Sequence, residues 1–247
     1  MTPRFHAPHL TADADQLTLD GEEAQHLTRV LRLGAGAELR VFDGRGLERE
    51  AIVDVAGRGI VALRLGRRVD AARELAFALT LVQAVLKGDA MDGIVRDATM
   101  LGVTAIQPIV TGRSEVPIGV LERRDRRERW HRIAISSAKQ CRRAVVPDVG
   151  SACGFADALE RARGSTVLML TEPAAGVEGA GTRIGDQMPG GAHVFVFAGP
   201  EGGWSEQEIA RAGQAGARFV TLGDRTLRAD AVALVALPVL LFAWGEL

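Results

Sequence analysis

Cysteine is scarce in this chain. Cys141 and Cys153 are the whole supply, and neither sits in a C-x-x-C pair. A disulfide framework and a structural zinc are therefore excluded, and a reducing cytoplasm is the expected compartment. Long hydrophobic runs are also lacking. The longest, Ala231 to Trp244, contains Pro238 and is shorter than the roughly 18 residues that a membrane span requires; it reads as a buried helix. The opening MTPRFHAPHL has no apolar signal-peptide core. A dominant charge is missing too: the formal net charge is −1, so a basic surface for nucleic acid has to be local. No GxxxxGK[ST] phosphate cradle and no GxGxxG dinucleotide fingerprint occurs. The five histidines, His6, His9, His26, His131 and His193, have no metal-ligand spacing, and no metal is expected. No Ser–His–Asp arrangement can be argued, and a lone Cys141 on a helix reads as inert.

What is present is a globular composition, 47% apolar and 25% charged over 247 residues, enough for one large or two modest domains. The stretch that organises it is VFVFAGPEGGWS, Val194 to Ser205. Four apolar residues form a buried strand that breaks at Gly199-Pro200-Glu201-Gly202-Gly203. Ser205 and Glu208 then open a helix with a capping box. A glycine-rich loop at the carboxyl end of a buried strand is where open α/β sheets bind ligands, and glycines let backbone approach a flat ligand closely. A second strand, Phe219 to Leu222, leads into Gly223-Asp224-Arg225-Thr226-Leu227-Arg228 and an apolar helix.

Earlier in the chain, short β runs at 17–19, 39–42, 49–55 and 60–65 are separated by glycine turns, which predicts a small barrel or sheet. One helix, Glu22 to Leu33, interrupts them, and helical spacing places His26, Arg29 and Arg32 along one side: a solvated face or a contact surface. Val69 to Glu74 reads as a linker. Beyond it, a strand at 77–86, a helix holding Met91, Ile94, Val95 and Ala98, and a strand at 104–108 alternate as in a parallel sheet. Leu121 to Arg143 carries nine basic residues, Arg124 among them, against three acids. The first half reads as a solvated face. At the end Lys139, Arg142 and Arg143 stand with no acid nearby in the sequence, as a phosphate-contacting patch would. A helix near 155–163 and a strand at 166–170 follow, and then a weakly patterned surface loop from Gly176 to Gly191.

AGPEGGW followed about twenty residues later by LGDRTLR closely resembles the ribosomal RNA small subunit methyltransferase E family, 16S uridine methyltransferases of the SPOUT superfamily. The amino-terminal HLTRVLR and Phe42-Asp43-Gly44, the KGDAMDGIVRDATMLGV stretch and SAKQCRRAVVP extend the resemblance over nearly the whole chain. It implies a PUA-like RNA-binding β-barrel domain over 1–70 and an α/β SPOUT domain with a carboxyl-terminal trefoil knot over 74–247. It implies methylation of a uridine N-3 in 16S ribosomal RNA, with S-adenosylmethionine held by Leu170, Thr171, Ala198, Gly199, Pro200, Glu201, Gly202, Gly203, Leu222, Gly223, Thr226 and Leu227. RNA would be held by His26, Arg29, Arg32, Lys87, Lys139, Arg142 and Arg143.

A guanidinium near N-3 would favour the ionised uridine. Arg228 is the first candidate and Arg225 the second, unless Arg228 merely pairs with Asp230 or Arg225 with Asp224. The chain departs from the family at Met100, where an acid is usual, and at Lys139 and Arg142, in place of an acid and a glycine. Asp224 replaces a proline, and Ala229-Asp230-Ala231 replaces Thr-Glu-Thr. These departures keep open a sister enzyme acting on another RNA position, and a non-catalytic RNA-binding or ribosome-assembly factor. The last helix, Asp230 to Trp244, is apolar almost all round, which predicts a homodimer that buries its second face unless the helix is simply central to its own domain; the resemblance implies pairing through the knot.

Overall fold

The computed structural model describes residues 2–57, 59–123, 126–173 and 191–247. Arg124 and all but the last residue of the expected 176–191 loop lie outside them. The chain packs as two compact units, Met1–Glu74 with Ile135–Val146, and Leu75–Ala134 with Pro147–Leu247.

In the first unit, β1 (Arg4–His6), β2 (Gln16–Asp20), β3 (Glu38–Phe42), β4 (Glu48–Ala56) and β5 (Ile60–Arg68) form one sheet in the order β1-β3-β4-β5-β2. Only the β1–β3 pair is parallel. The edges β1 and β2 do not pair with each other, so the expected barrel is a half-barrel. Alternation sets its inner face: Val61, Leu63 and Leu65 of β5 point inward, onto Phe5, Leu19, Leu39, Val41 and Val53. Each such side chain contributes about 1.5–3 kcal/mol when fully buried.

The expected regular helix over 22–33 needs correction. A short α1 (Gly21–Gln25) runs into a π-helical turn, His26–Val30, in which Leu31 N donates to His26 O at 3.0 Å, five residues back. Arg32 then takes φ +53° and ends the helix. The 3.6-residue spacing that aligned His26, Arg29 and Arg32 is lost. His26 is half-buried, edge-on to Phe5, while Arg29 and Arg32 are exposed. The expected linker is also tied down: Val69 N donates to Glu48 O and Ala72 N to Arg142 O.

The second unit holds a parallel sheet, in the order β12-β10-β11-β6-β7-β8 with β9 beside β7. Its strands are β6 (Ala78–Ala84), β7 (Ala105–Val110), β8 (Asp148–Val149), β9 (Cys153–Gly154), β10 (Thr166–Leu170), β11 (His193–Ala198) and β12 (Arg218–Val220). Its helices are α2 (Ala90–Met100), α3 (Ile118–Arg123), α5 (Phe155–Arg161), α6 (Glu206–Gln214) and α7 (Ala229–Ala243); α4 (Arg126–Cys141) precedes β8. Of the basic run from Leu121 to Arg143, residues Leu121 to Arg123 belong to α3 and Arg126 to Cys141 to α4. Leu79 to Leu86 and Val194 to Ala198 are buried without interruption, as strands covered on both faces must be. One face packs Phe155, Phe195, Phe197 and Trp204 into a common cluster. On α7, Ala233, Leu237, Leu240 and Leu241 are buried, while Val235, Val239 and Phe242 are exposed.

Candidate active site

Five parallel strands end at one place. The residues after β6, β7, β10, β11 and β12 line a cleft of about 850 Å³ in the second unit, at the carboxyl edge where α/β sheets bind ligands. Leu170 and Thr171 come from β10, Gly199 to Gly203 from β11, and Leu222 and Arg225 to Arg228 from β12. Lys87 and Arg113 stand at the ends of β6 and β7. Of the residues singled out for the cofactor, Ala198 and Gly223 are not in the cleft wall: Ala198 is fully buried at the end of β11, and Gly223 turns the backbone with φ +74°.

The glycines have steric reasons. A Cβ on Gly199 would stand 3.0 Å from the Trp204 ring, and one on Gly202 would stand 3.1 Å from Arg113 Cβ and 3.2 Å from its carbonyl oxygen. The loop is therefore pressed against its neighbours and has no room for a side chain. Trp204, which sequence reasoning left without a role, explains the first contact. Its ring is buried against Phe155, and its Nε1 donates to Leu170 O at 2.8 Å, joining the end of β10 to the glycine loop. The capping box is present in full, with Ser205 and Glu208 bonding reciprocally.

Thr171 is 9% exposed, and its Oγ1 has no hydrogen-bond partner among the described residues. A buried hydroxyl without a partner is costly, and this one belongs to the wall of the cleft. With the side-chain-free cradle at Gly199 and Gly202, it offers a flat polar molecule such as S-adenosylmethionine both backbone edges and an open hydroxyl. Among the described residues no group of three His, Cys, Asp or Glu could hold a metal ion, and no helix is long and apolar enough to cross a membrane.

The two candidate arginines differ. Arg228 donates to both oxygens of Asp230 at 3.2 Å. That bond raises the Arg228 pKa and lowers that of Asp230. Arg225 is exposed at the cleft and has no ion-pair partner among the described residues. Lys87 is paired with Glu115, whose hydrogen bond raises its pKa, and its backbone N donates to Glu201.

The basic patch at the end of α4 needs a correction. It was expected to have no acid nearby, but the fold brings acids to it from elsewhere in the chain. Lys139 Nζ contacts both oxygens of Glu23 at 2.9 Å and stands 5.2 Å from the Phe5 ring centre. Arg143 is 3% exposed, and its Nε donates to Glu74 at 3.0 Å. Arg142 alone of the three is exposed, with φ +68°.

The family description "RNA methyltransferase domain" matches residues 73–241, and "RNA methyltransferase PUA domain" matches 19–65. The chain is similar to a ribosomal RNA small subunit methyltransferase E of Synechocystis, 33% identical over 90% of this chain and 71% of that protein. Among solved structures, the same-named protein of Neisseria gonorrhoeae, bound to S-adenosyl methionine, is 32% identical. It covers 99% of this chain and 98% of its own, at a TM-score of 0.88. A Legionella pneumophila protein solved in complex with the same cofactor is 29% identical, with the same coverage and a TM-score of 0.89.

Proposed function

The chain belongs to the ribosomal RNA small subunit methyltransferase E family, and from that membership and the cleft we propose that it methylates N-3 of a uridine in 16S ribosomal RNA. The observation that carries the reading is the cleft itself, with its side-chain-free cradle at Gly199 and Gly202 and a Thr171 hydroxyl that has no partner among the described residues. S-adenosylmethionine, when bound, supplies a methyl group on a sulfonium, already a good leaving group. The protein's task is then alignment: reacting atoms held about 3–3.5 Å apart gain most of the entropic advantage.

N-3 has to lose its proton, and a fixed guanidinium stabilises the anion left behind. Arg225 suits this better than Arg228, because the Arg228 fork is already taken up by Asp230. Arg228 is then the residue that shapes the start of α7. For RNA, Arg29, Arg32 and Arg142 are those of the singled-out basic residues in the first unit that are exposed and are assigned to phosphate contacts, with Lys87 at the rim of the cleft. His26, Lys139 and Arg143 serve the fold.

The two family matches support a division into a PUA-like RNA-binding part and a methyltransferase part. A trefoil knot made by the loops after β10, β11 and β12 belongs to the same proposal. It is supported by their convergence on one cleft and by β12 lying outside β10 in the sheet. The exposed stripe of Val235, Val239 and Phe242 on α7 supports a homodimer; light scattering should then find twice the 26.3 kDa chain mass. The compartment proposed is the cytoplasm.

Mass mapping of ribosomal RNA from cells lacking the protein tests the function. One methyl should disappear from a single 16S uridine and return with the wild-type chain. Loss at a different nucleoside would overturn the N-3 assignment.

A further inference from the structure

Glu208 does more than a capping box asks of it. It is 8% exposed on the first turn of α6, and its two carboxylate oxygens serve different partners. Oε2 accepts from Ser205 N and from Ser205 Oγ, both at 2.9 Å, which closes the box. Oε1 accepts from Gly112 N, also at 2.9 Å, from a residue 96 positions earlier in the chain. The helix does not need that second bond.

Gly112 follows β7, and the residue after it is the one that crowds the glycine loop. Arg113 Nη1 donates to Gly202 O at 3.2 Å, and Arg113 Cβ and O are the atoms that a Cβ on Gly202 would strike. Glu208 thus bonds one residue of the β7 loop while the next residue leans on the glycine loop. Both Arg113 and Gly202 line the cleft.

We propose that Glu208 is a positioning residue for cofactor binding: through Gly112 it holds Arg113 against Gly202 and fixes the width of the slot between the β7 and β11 loops. This rests on the cleft being the S-adenosylmethionine site.

Glu208→Gln separates the two jobs. Glutamine closes a capping box as well as glutamate does, with its carbonyl oxygen on Ser205. Its NH2 group then faces the Gly112 N–H, donor against donor. Titration calorimetry of the full chain with S-adenosylmethionine should show about a tenfold loss of affinity in Glu208→Gln, the size of one charge-assisted hydrogen bond. Its melting temperature should change little, and the Gly112 amide should exchange faster. Ser205→Ala, which loses the cap but keeps the Gly112 bond, should lower the melting temperature and hold affinity within about twofold.

Affinity in Glu208→Gln within about twofold of wild type would overturn the proposal, as would an equal loss in Ser205→Ala. Should the glutamine variant not fold, Glu208→Asp keeps the charge but is one methylene too short to serve both sides. It should show the same loss, and wild-type affinity there would be equally fatal. A wild-type chain that binds no S-adenosylmethionine would sink the cofactor reading instead.

Discussion

The two units use charge in opposite ways. In the first, one ion pair is turned inward to hold the backbone. Arg4 is 9% and Glu48 1% exposed, joined by two hydrogen bonds of 3.0 and 2.7 Å. The same guanidinium donates to Ala138 O, Lys139 O and Arg143 O, at 2.7, 2.9 and 2.9 Å. The first two are carbonyls of the last turn of α4, where a helix has no partners of its own and favours a cation, and the third lies just past it. In the second unit the sheet interior is almost wholly apolar, and eight charged side chains line the cleft at its carboxyl edge. Neither arrangement follows from counting charges along the chain. A basic residue belongs to the fold or to the site according to what the fold brings to it.

The sharpest way to break that contrast is Arg4→Ala. It takes both hydrogen bonds from a buried carboxylate, which among the described residues keeps only Arg40 at 3.9 Å, and the donor from three carbonyls at and just past the end of α4. Removing one partner of a buried pair costs about 3–5 kcal/mol. Urea unfolding should show that loss, while Arg4→Met combined with Glu48→Leu should recover much of it. Next comes Gly202→Val, which overfills the second unit at its cleft. A crowding cost of about 1–3 kcal/mol falls on the loop, and calorimetry should find cofactor binding abolished in a chain that still unfolds cooperatively.

Arg142→Gly sharpens the comparison from the other side. A non-glycine residue at φ +68° is strained, so glycine should stabilise the protein by about 1 kcal/mol. If the exposed guanidinium touches phosphate, the same change should flatten the salt dependence of RNA binding by about 0.7–0.9. Higher stability with an unchanged salt slope would leave Arg142 without an RNA role.

The smallest effect concerns His193, whose pKa is lowered by burial from its ordinary 6.5. Its Nε2 lies 2.9 Å from Thr80 Oγ1 and its ring stacks on Phe195. The folded state keeps this ring neutral while the unfolded chain takes up a proton near 6.5. Its contribution is therefore complete above pH 6.5 and lost as pH falls through the lower, folded value. His193→Gln should flatten the stability curve below pH 6.5.

Much of the second unit was legible because its signals are local. Thr166 to Leu170 is a strand as its apolar run predicts, and Ser205 and Glu208 cap α6 as their spacing predicts. The glycine loop could be placed at a strand end by the same means. What stayed hidden depends on distant partners. Nothing in the sequence around Lys139 announces Glu23, and nothing around Arg143 announces Glu74, so the patch read as free of acids. The π-helical turn defeated a 3.6-residue spacing at Arg29 and Arg32. Arg113 carried no motif, and Trp204 stood in AGPEGGW with no role; their parts in the cleft are visible only where segments 34 to 89 residues apart come together.

The long reach of Arg4 also sets a clock. Its backbone partners lie 134 to 139 residues further along the chain. At about 5–20 residues per second of synthesis, they follow it by roughly 7–28 s. The β strands of the first unit are made well before then, yet the arginine among them still lacks the carbonyls it will cap. The part of the protein that is born first is thus completed only after more than half of the chain exists, and a nascent chain arrested before Arg143 carries an unfinished amino-terminal unit.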